Sequence, residues 1–241
     1  MGISRGNARE FVLILIGVFL ALAAERWVAG RSDRNLAAQY AADLATDLRQ
    51  DSVQHVVWSM FTAARQQALE RMLADLNQVS PRLSGAEELG TLYYAQIVPV
   101  PDFQRATFQD LVSSGNLRLL DPAVRRGIVV YHDGLDALTR GVALTGLGKP
   151  RFADLVPAQA RATLTDTCAG QPSRCGFGLA DSVLADMPDA EVVALASWRD
   201  MPDMRLELQR MLNETHAFRR GFERLGPRLW EALAVVERSA M

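Results

Sequence analysis

Asp43, Asp47, Asp51 and His55 recur at every fourth position. On a helix that spacing lays three carboxylates and an imidazole along one side, a donor set that suits a hard divalent cation. At about 100° per residue the row sits roughly 60° round the wheel from Leu44 and Leu48, so it borders a buried stripe. Carboxylates stacked this way repel, and arginine partners, a cation or plain solvation can each relieve the repulsion. The reading that needs least is a solvated edge neutralised by arginines. A second group, His132, Asp133 and Asp136, follows Tyr131. An i, i+4 histidine–carboxylate pair can do acid–base work, but no nucleophile stands at a recognisable motif beside it, so it reads as a polar helix face.

Cys168 and Cys175 are separated by six residues that include Gly170 and Pro172, in a stretch that reads as a loop. Outside the cytoplasm such a pair forms a disulfide, and in a reducing compartment it stays as two thiols. Closing so small a loop contributes about 2.5 kcal/mol in the chain-entropy account, enough to pin a local hairpin. The spacing is not that of a redox Cys-x-x-Cys pair, and no second pair or nearby histidine completes a zinc site. Gly146-Leu147-Gly148-Lys149 fails as a phosphate loop, because Ala143 stands where its first glycine belongs and Pro150 where a magnesium-holding Ser or Thr belongs. Gly-x-Ser-x-Gly, His-Glu-x-x-His and a dinucleotide fingerprint are all absent from the sequence. These residues therefore assign no catalytic group, cofactor or metal, with Asp43, Asp47, Asp51 and His55 the only metal candidates.

The element that must position everything else is apolar. Phe11 to Ala24 reads FVLILIGVFLALAA, and ten of its fourteen residues are Phe, Val, Leu or Ile. At about 0.3–0.6 kcal/mol each they favour a bilayer by roughly 3–6 kcal/mol. Fourteen helical residues span only about 21 Å against a hydrocarbon core of about 30 Å. A helix over residues 8–29 reaches about 33 Å, with Arg9, Glu10, Glu25 and Arg26 snorkelling and Trp27 at an interface. The spacing predicts a single transmembrane anchor carrying Phe11, Leu15, Gly17, Leu20, Ala24 and Trp27. A cleavable signal peptide, suggested by Ala21-Leu22-Ala23, and a buried soluble helix are the competing readings. Gly17 and Ala21 form a small-xxx-small pair that suits helix pairing, although lipid exposure explains a lone glycine as well. Flank charges tie, with Arg5, Arg9 and the terminal amine on one side and Arg26, Arg31 and Arg34 on the other. The export-signal character of the first 24 residues breaks the tie in favour of a short cytoplasmic tail and an external C-terminal domain.

Past the anchor the pattern is helical, with no alternation long enough for a strand. Residues 31–79 carry Leu36, Tyr40, Leu44 and Leu48, then Val56, Met60, Leu69, Met72, Leu73 and Leu76 as an apolar stripe, with a bend expected near Ser52. Short helices are predicted over 86–95 and 106–112, the latter capped by Gly115 in the left-handed region. Asp121 and Pro122 start a helix through Val124, Ile128, Tyr131 and Leu135, followed by a loop at Gly141 to Pro150. From Met204 to Val236 apolar or small residues alternate steps of four and three, with Gly226-Pro227 expected to kink the helix. The predicted architecture is all-α: residues 1–30 as tail and anchor, 31–241 as one antiparallel helical bundle.

Composition agrees with an ordered chain and excludes two classes. With 49% hydrophobic and 22% charged residues over 241 positions, there is ample material for a core. Twenty-eight acidic residues outnumber 26 basic ones, which argues against nucleic acid as a partner, and two cysteines exclude a disulfide-dense miniprotein.

Arg9-Glu10-Phe11, the run LILIGVFLALAAERW, and Tyr40-x-x-x-Leu44-x-x-Asp47-Leu48-x-x-Asp51 resemble an uncharacterised family of bacterial membrane-anchored helical proteins, a domain of unknown function. So does Thr107-Phe108-x-x-Leu111-x-Ser113-Ser114-Gly115-Asn116-Leu117-Arg118-Leu119-Leu120-Asp121, with Tyr131 ten residues on. The resemblance covers residues 8 to 135. It departs from the usual pattern at Glu25-Arg26-Trp27, where asparagines around a tryptophan are common. It implies an uncleaved anchor in the bacterial inner membrane and a helical periplasmic domain, and carries no activity. The expectation is a protein-interaction or scaffold module whose partners are the bilayer and another protein or a second copy. The alternative is an envelope enzyme, or a ligand or metal sensor, with its site between helices.

Overall fold

The computed structural model describes residues 5–97, 101–144, 150–170 and 177–240, with side chains described within 13–97, 101–141, 150–166 and 180–239. Among these residues helix is the dominant regular structure and there is no strand. The helices are α1 (Arg5–Leu76), α2 (Gly85–Gln96), α3 (Ala106–Ser113), α4 (Pro122–Leu144), α5 (Ala158–Gly170), α6 (Phe177–Ala185), α7 (Asp189–Leu195) and α8 (Met204–Ala240). Short 3-10 turns occupy Asn116–Leu119, Arg151–Leu155 and Ala196–Asp200.

α1 is 72 residues long and takes in both the apolar run and the segment after it. It continues without a break past Ser52, whose hydroxyl donates to the Arg49 carbonyl at 2.7 Å. Its end is built from backbone bonds: the Val79 amide donates to the Ala74 carbonyl at 3.0 Å and the Gln78 amide to that of Asp75 at 2.9 Å. This is the paired closure of a helix whose next residue turns left-handed. Gln78 takes that position at φ 56°, where glycine is the usual occupant.

Local signals placed other boundaries well. Gly115 adopts φ 72° after α3, and the Asp121 carboxylate accepts from the Ala123 amide at 2.8 Å where α4 begins. Two boundaries differ from expectation. Gly141 lies inside α4, because the helix runs on to Leu144. Cys168 has its backbone in the last turn of α5 and is not in a loop; its side chain and all of Cys175 lie outside the described residues, as does the proposed disulfide. α8 runs through Pro227, and all ten seam positions, Met204, Leu208, Met211, Thr215, Phe218, Phe222, Leu225, Leu229, Ala232 and Val236, are buried. The Thr215 hydroxyl is satisfied within its own helix by the Met211 carbonyl at 2.8 Å.

The chain divides into two compact units, and neither has a boundary at residue 30. The first comprises Met1–Leu48, Gln104–Ile128 and Ala232–Met241. Its buried residues include Leu44, Leu48, Leu111, Val124, Ile128 and Val236. α4 and α8 come close in this unit: a Cβ added to Gly127 would stand 3.4 Å from the Ala232 Cα. Its described residues from Leu13 to Val28 are exposed on every side, Leu20 at 64% and Trp27 at 61%.

The second unit comprises Arg49–Phe103 and Val129–Glu231. α2 packs on α6, and a core of Leu69, Met72, Leu89, Leu92, Phe152 and Trp198 forms around them. Here the expected stripe on α1 needs correcting. Val56 and Met60 are exposed, at 49% and 43%, whereas Asp51, Thr62 and Arg65 are buried. A helical period identifies a face, but packing decides which parts of that face are covered.

Candidate functional site

The row on α1 is divided between the two units. In the first unit Asp43 is exposed and Asp47 half-buried. In the second unit Asp51 is fully buried and its Oδ2 accepts the Tyr131 hydroxyl at 2.8 Å. His55 turns to α8, where Nε2 lies 3.0 Å from the Phe222 carbonyl oxygen. A carbonyl only accepts, so Nε2 carries the proton of this bond. The ring meets Phe222 and Trp230 edge-on, at centroid distances of 5.6 and 6.4 Å. Glycine at 226 makes the approach feasible, since a Cβ there would stand 3.0 Å from the His55 Cε1. Among the described residues no three of His, Cys, Asp or Glu gather as a metal would require.

The second histidine group lies on α4. His132 is buried beside the Tyr131 ring, at a centroid distance of 5.1 Å, while Asp133 is exposed and Asp136 half-buried. The Tyr131–Asp51 bond joins positions 80 residues apart. We expect Tyr131→Phe to cost about 1–3 kcal/mol, the penalty for a buried acceptor that loses a donor, read from urea unfolding of the full chain. Asp51→Asn keeps an acceptor oxygen and is expected to cost less; equal losses would refute the assignment.

In the first unit the Tyr40 hydroxyl donates to Asp110 Oδ2 at 2.6 Å and accepts from Asn116 Nδ2 at 3.2 Å. Tyr40, Asn116, Gly115, Asp121, Asp51 and Tyr131 all belong to the two stretches that carry the family resemblance. Each serves the architecture, by bridging helices, turning the chain or capping a helix.

The densest polar cluster was not foreseen from sequence. It lies in the second unit, where Asp75 near the end of α1, Glu88 on α2 and Arg199 in the 3-10 turn Ala196–Asp200 converge. Arg199 Nη2 donates to Asp75 Oδ2 at 2.7 Å and to the Leu83 carbonyl at 2.8 Å, and Nε reaches Asp75 Oδ1 at 3.3 Å. Its Nη1 donates to Glu88 Oε1, which also accepts the Trp198 indole N–H at 3.0 Å. The guanidinium carbon stands 4.8 Å from the centroid of the Trp198 ring, and Asp75 Oδ2 takes a further bond from the Leu83 amide at 2.8 Å. Side-chain exposures of 9% for Arg199, 3% for Asp75 and 6% for Glu88 put the triad in the interior.

Burial by itself would push the Asp75 carboxyl up. The Arg199 bonds, the Leu83 amide and the charges of Arg199 and Arg82 outweigh it and hold Asp75 below the usual carboxylate range. Burial likewise disfavours the Arg199 cation, but the two carboxylates overcome this and raise its pKa. Arg65, also buried, is pushed down to about 10 by desolvation, with one Nη bonded to the Ile97 carbonyl at 2.8 Å. The triad's bonds run between its members, to backbone and to the Trp198 indole, which makes it a clasp joining α1, α2 and the turn before α8. One sequence signal could have revealed it: Asp75 falls three residues after Met72, on the stripe Leu69–Met72, where an apolar residue belongs.

No family model, no curated protein and no solved structure matches this chain, so the resemblance over residues 8 to 135 has no family match beside it.

Proposed function

We propose that the chain is a single-pass membrane protein of the bacterial inner membrane whose helical domain faces the periplasm and works by binding a protein partner, as an interaction or scaffold module. Anchoring is supported by the contiguous apolar stretch of α1, whose described residues from Leu13 to Val28 are exposed on every side. α1 is long and apolar enough near its N-terminus to cross a membrane. An antiparallel bundle of the long helices is the arrangement this reading carries.

The observation that favours interaction over catalysis is on α1 of the second unit. Val53, Val56 and Met60 are exposed at 62%, 49% and 43%, within a stretch from Ser52 to Ala64 that has no Asp, Glu, Lys or Arg. The test exchanges Val53, Val56 and Met60 for threonine, threonine and glutamine in the full chain. Crosslinking to a membrane-associated partner is expected to fall at least tenfold while stability changes by less than about 0.5 kcal/mol, as for surface positions. Undiminished crosslinking would overturn the interaction reading. A reporter fused to the C-terminus that is active only in the cytoplasm would overturn the orientation.

A further inference from the structure

In the second unit a groove of about 280 Å3 lies between α4 and α8. Leu138, Phe218 and Leu225 supply its apolar walls, and all three are buried residues of the core beneath. Gly141 leaves it open on the α4 side, where a Cβ would have no atom of the described residues within 4 Å. Arg224 and Arg228, one turn apart on α8, also line it. Neither makes an ion pair or hydrogen bond among the described residues. Arg228 lies against α4 at Gly134, its Nη1 2.8 Å from where a Cβ of that glycine would be.

Apolar walls with two unpaired guanidinium groups select a molecule that is apolar at one end and anionic at the other. The volume narrows the choice further. At about 280 Å3 it stands at the lower end of the roughly 300–1,000 Å3 of small-molecule sites. A site of that size takes a small ligand, such as a medium-length alkyl chain with one charged end. We propose that this groove binds a free single-chain fatty carboxylate, its chain along Leu138, Phe218 and Leu225 and its carboxylate on Arg224 and Arg228. The assignment goes beyond the interaction reading and does not rest on the anchor.

The test uses the full chain in zwitterionic lipid nanodiscs with a ten-carbon fatty acid bearing a terminal diazirine, followed by peptide mapping of the photolabel. Label is expected on the α4 and α8 peptides that line the groove, with decanoate competing at least tenfold better than decanol. Arg224→Gln with Arg228→Gln, and separately Gly141→Leu, are each expected to reduce it at least tenfold. Leucine at 141 fills the open side and favours the helix more than glycine does, and helicity measured by circular dichroism checks that the variant is folded. Ala137→Leu serves as a second filling variant. Label confined to the apolar run of α1, label indifferent to these substitutions, or competition by anionic phospholipid alone would each overturn the proposal.

Discussion

Replacing Arg199 by methionine is expected to cost about 3–5 kcal/mol of stability, because it strands two buried carboxylates without their cation. Asp75 and Glu88 keep the Leu83 amide and the Trp198 indole as donors, but neither supplies charge. The diagnostic is the response to pH. In the unaltered protein Asp75 titrates below its unfolded value, so it adds stability above the unfolded pKa of about 3.9, and that contribution is lost as pH falls through the folded value. Without Arg199 only the Leu83 amide and the Arg82 charge still oppose burial, the largest single influence, and the folded pKa is expected to rise above the unfolded one. Proton uptake then accompanies folding, so the variant gains stability as the pH is lowered from about 7 towards about 4. Urea unfolding of the full chain at pH 7 and pH 5 reads both effects. A variant that loses less than 1 kcal/mol, or that weakens on acidification as the unaltered protein does, would show that the clasp is not the electrostatic joint described.

Trp198→Ala is expected to cost a similar amount, about 3–5 kcal/mol, for a different reason. The indole is fully buried in the core of the second unit, and its removal leaves a cavity among side chains that interdigitate. The substitution also takes a donor from Glu88 and the ring face from Arg199. Trp198→Phe refills most of the space without the N–H and is expected to recover more than half of the loss. Because Trp198 and Arg199 share Glu88, their effects should not add. The double variant Trp198→Ala/Arg199→Met is expected to fall short of the summed losses by about 0.5–3 kcal/mol. Strict additivity would mean that the ring and the cation act independently.

The candidate sites were legible to unequal degrees. Spacing alone placed Asp43, Asp47, Asp51 and His55 along one helix, and that helix exists. It could not say that Asp51 would be buried under Tyr131, or that His55 would face the Phe222 carbonyl beside Gly226. Asp75, Glu88 and Arg199 escaped notice because each looks unremarkable among its chain neighbours. Their partners stand 111 and 124 residues away. The groove between α4 and α8 was equally silent, since Gly134 and Gly141 read as helix-weakening positions, and only the fold lays a guanidinium on one and leaves open space over the other.

What the sequence determined on its own was local: helix as the only regular structure among the described residues, the Asp121 cap, the left-handed Gly115 and the buried seam of α8. Capping bonds and the 3.6-residue period act over a few neighbouring residues, so composition and spacing suffice to find them. Tertiary structure alone decided that the contacts divide into two units, that Val56 and Met60 stay uncovered on a face continuous with the buried one, and that three distant charged residues share one interior. Burial, desolvation and the pairing of a buried charge are properties of neighbours in space, which the order of residues along the chain does not reveal.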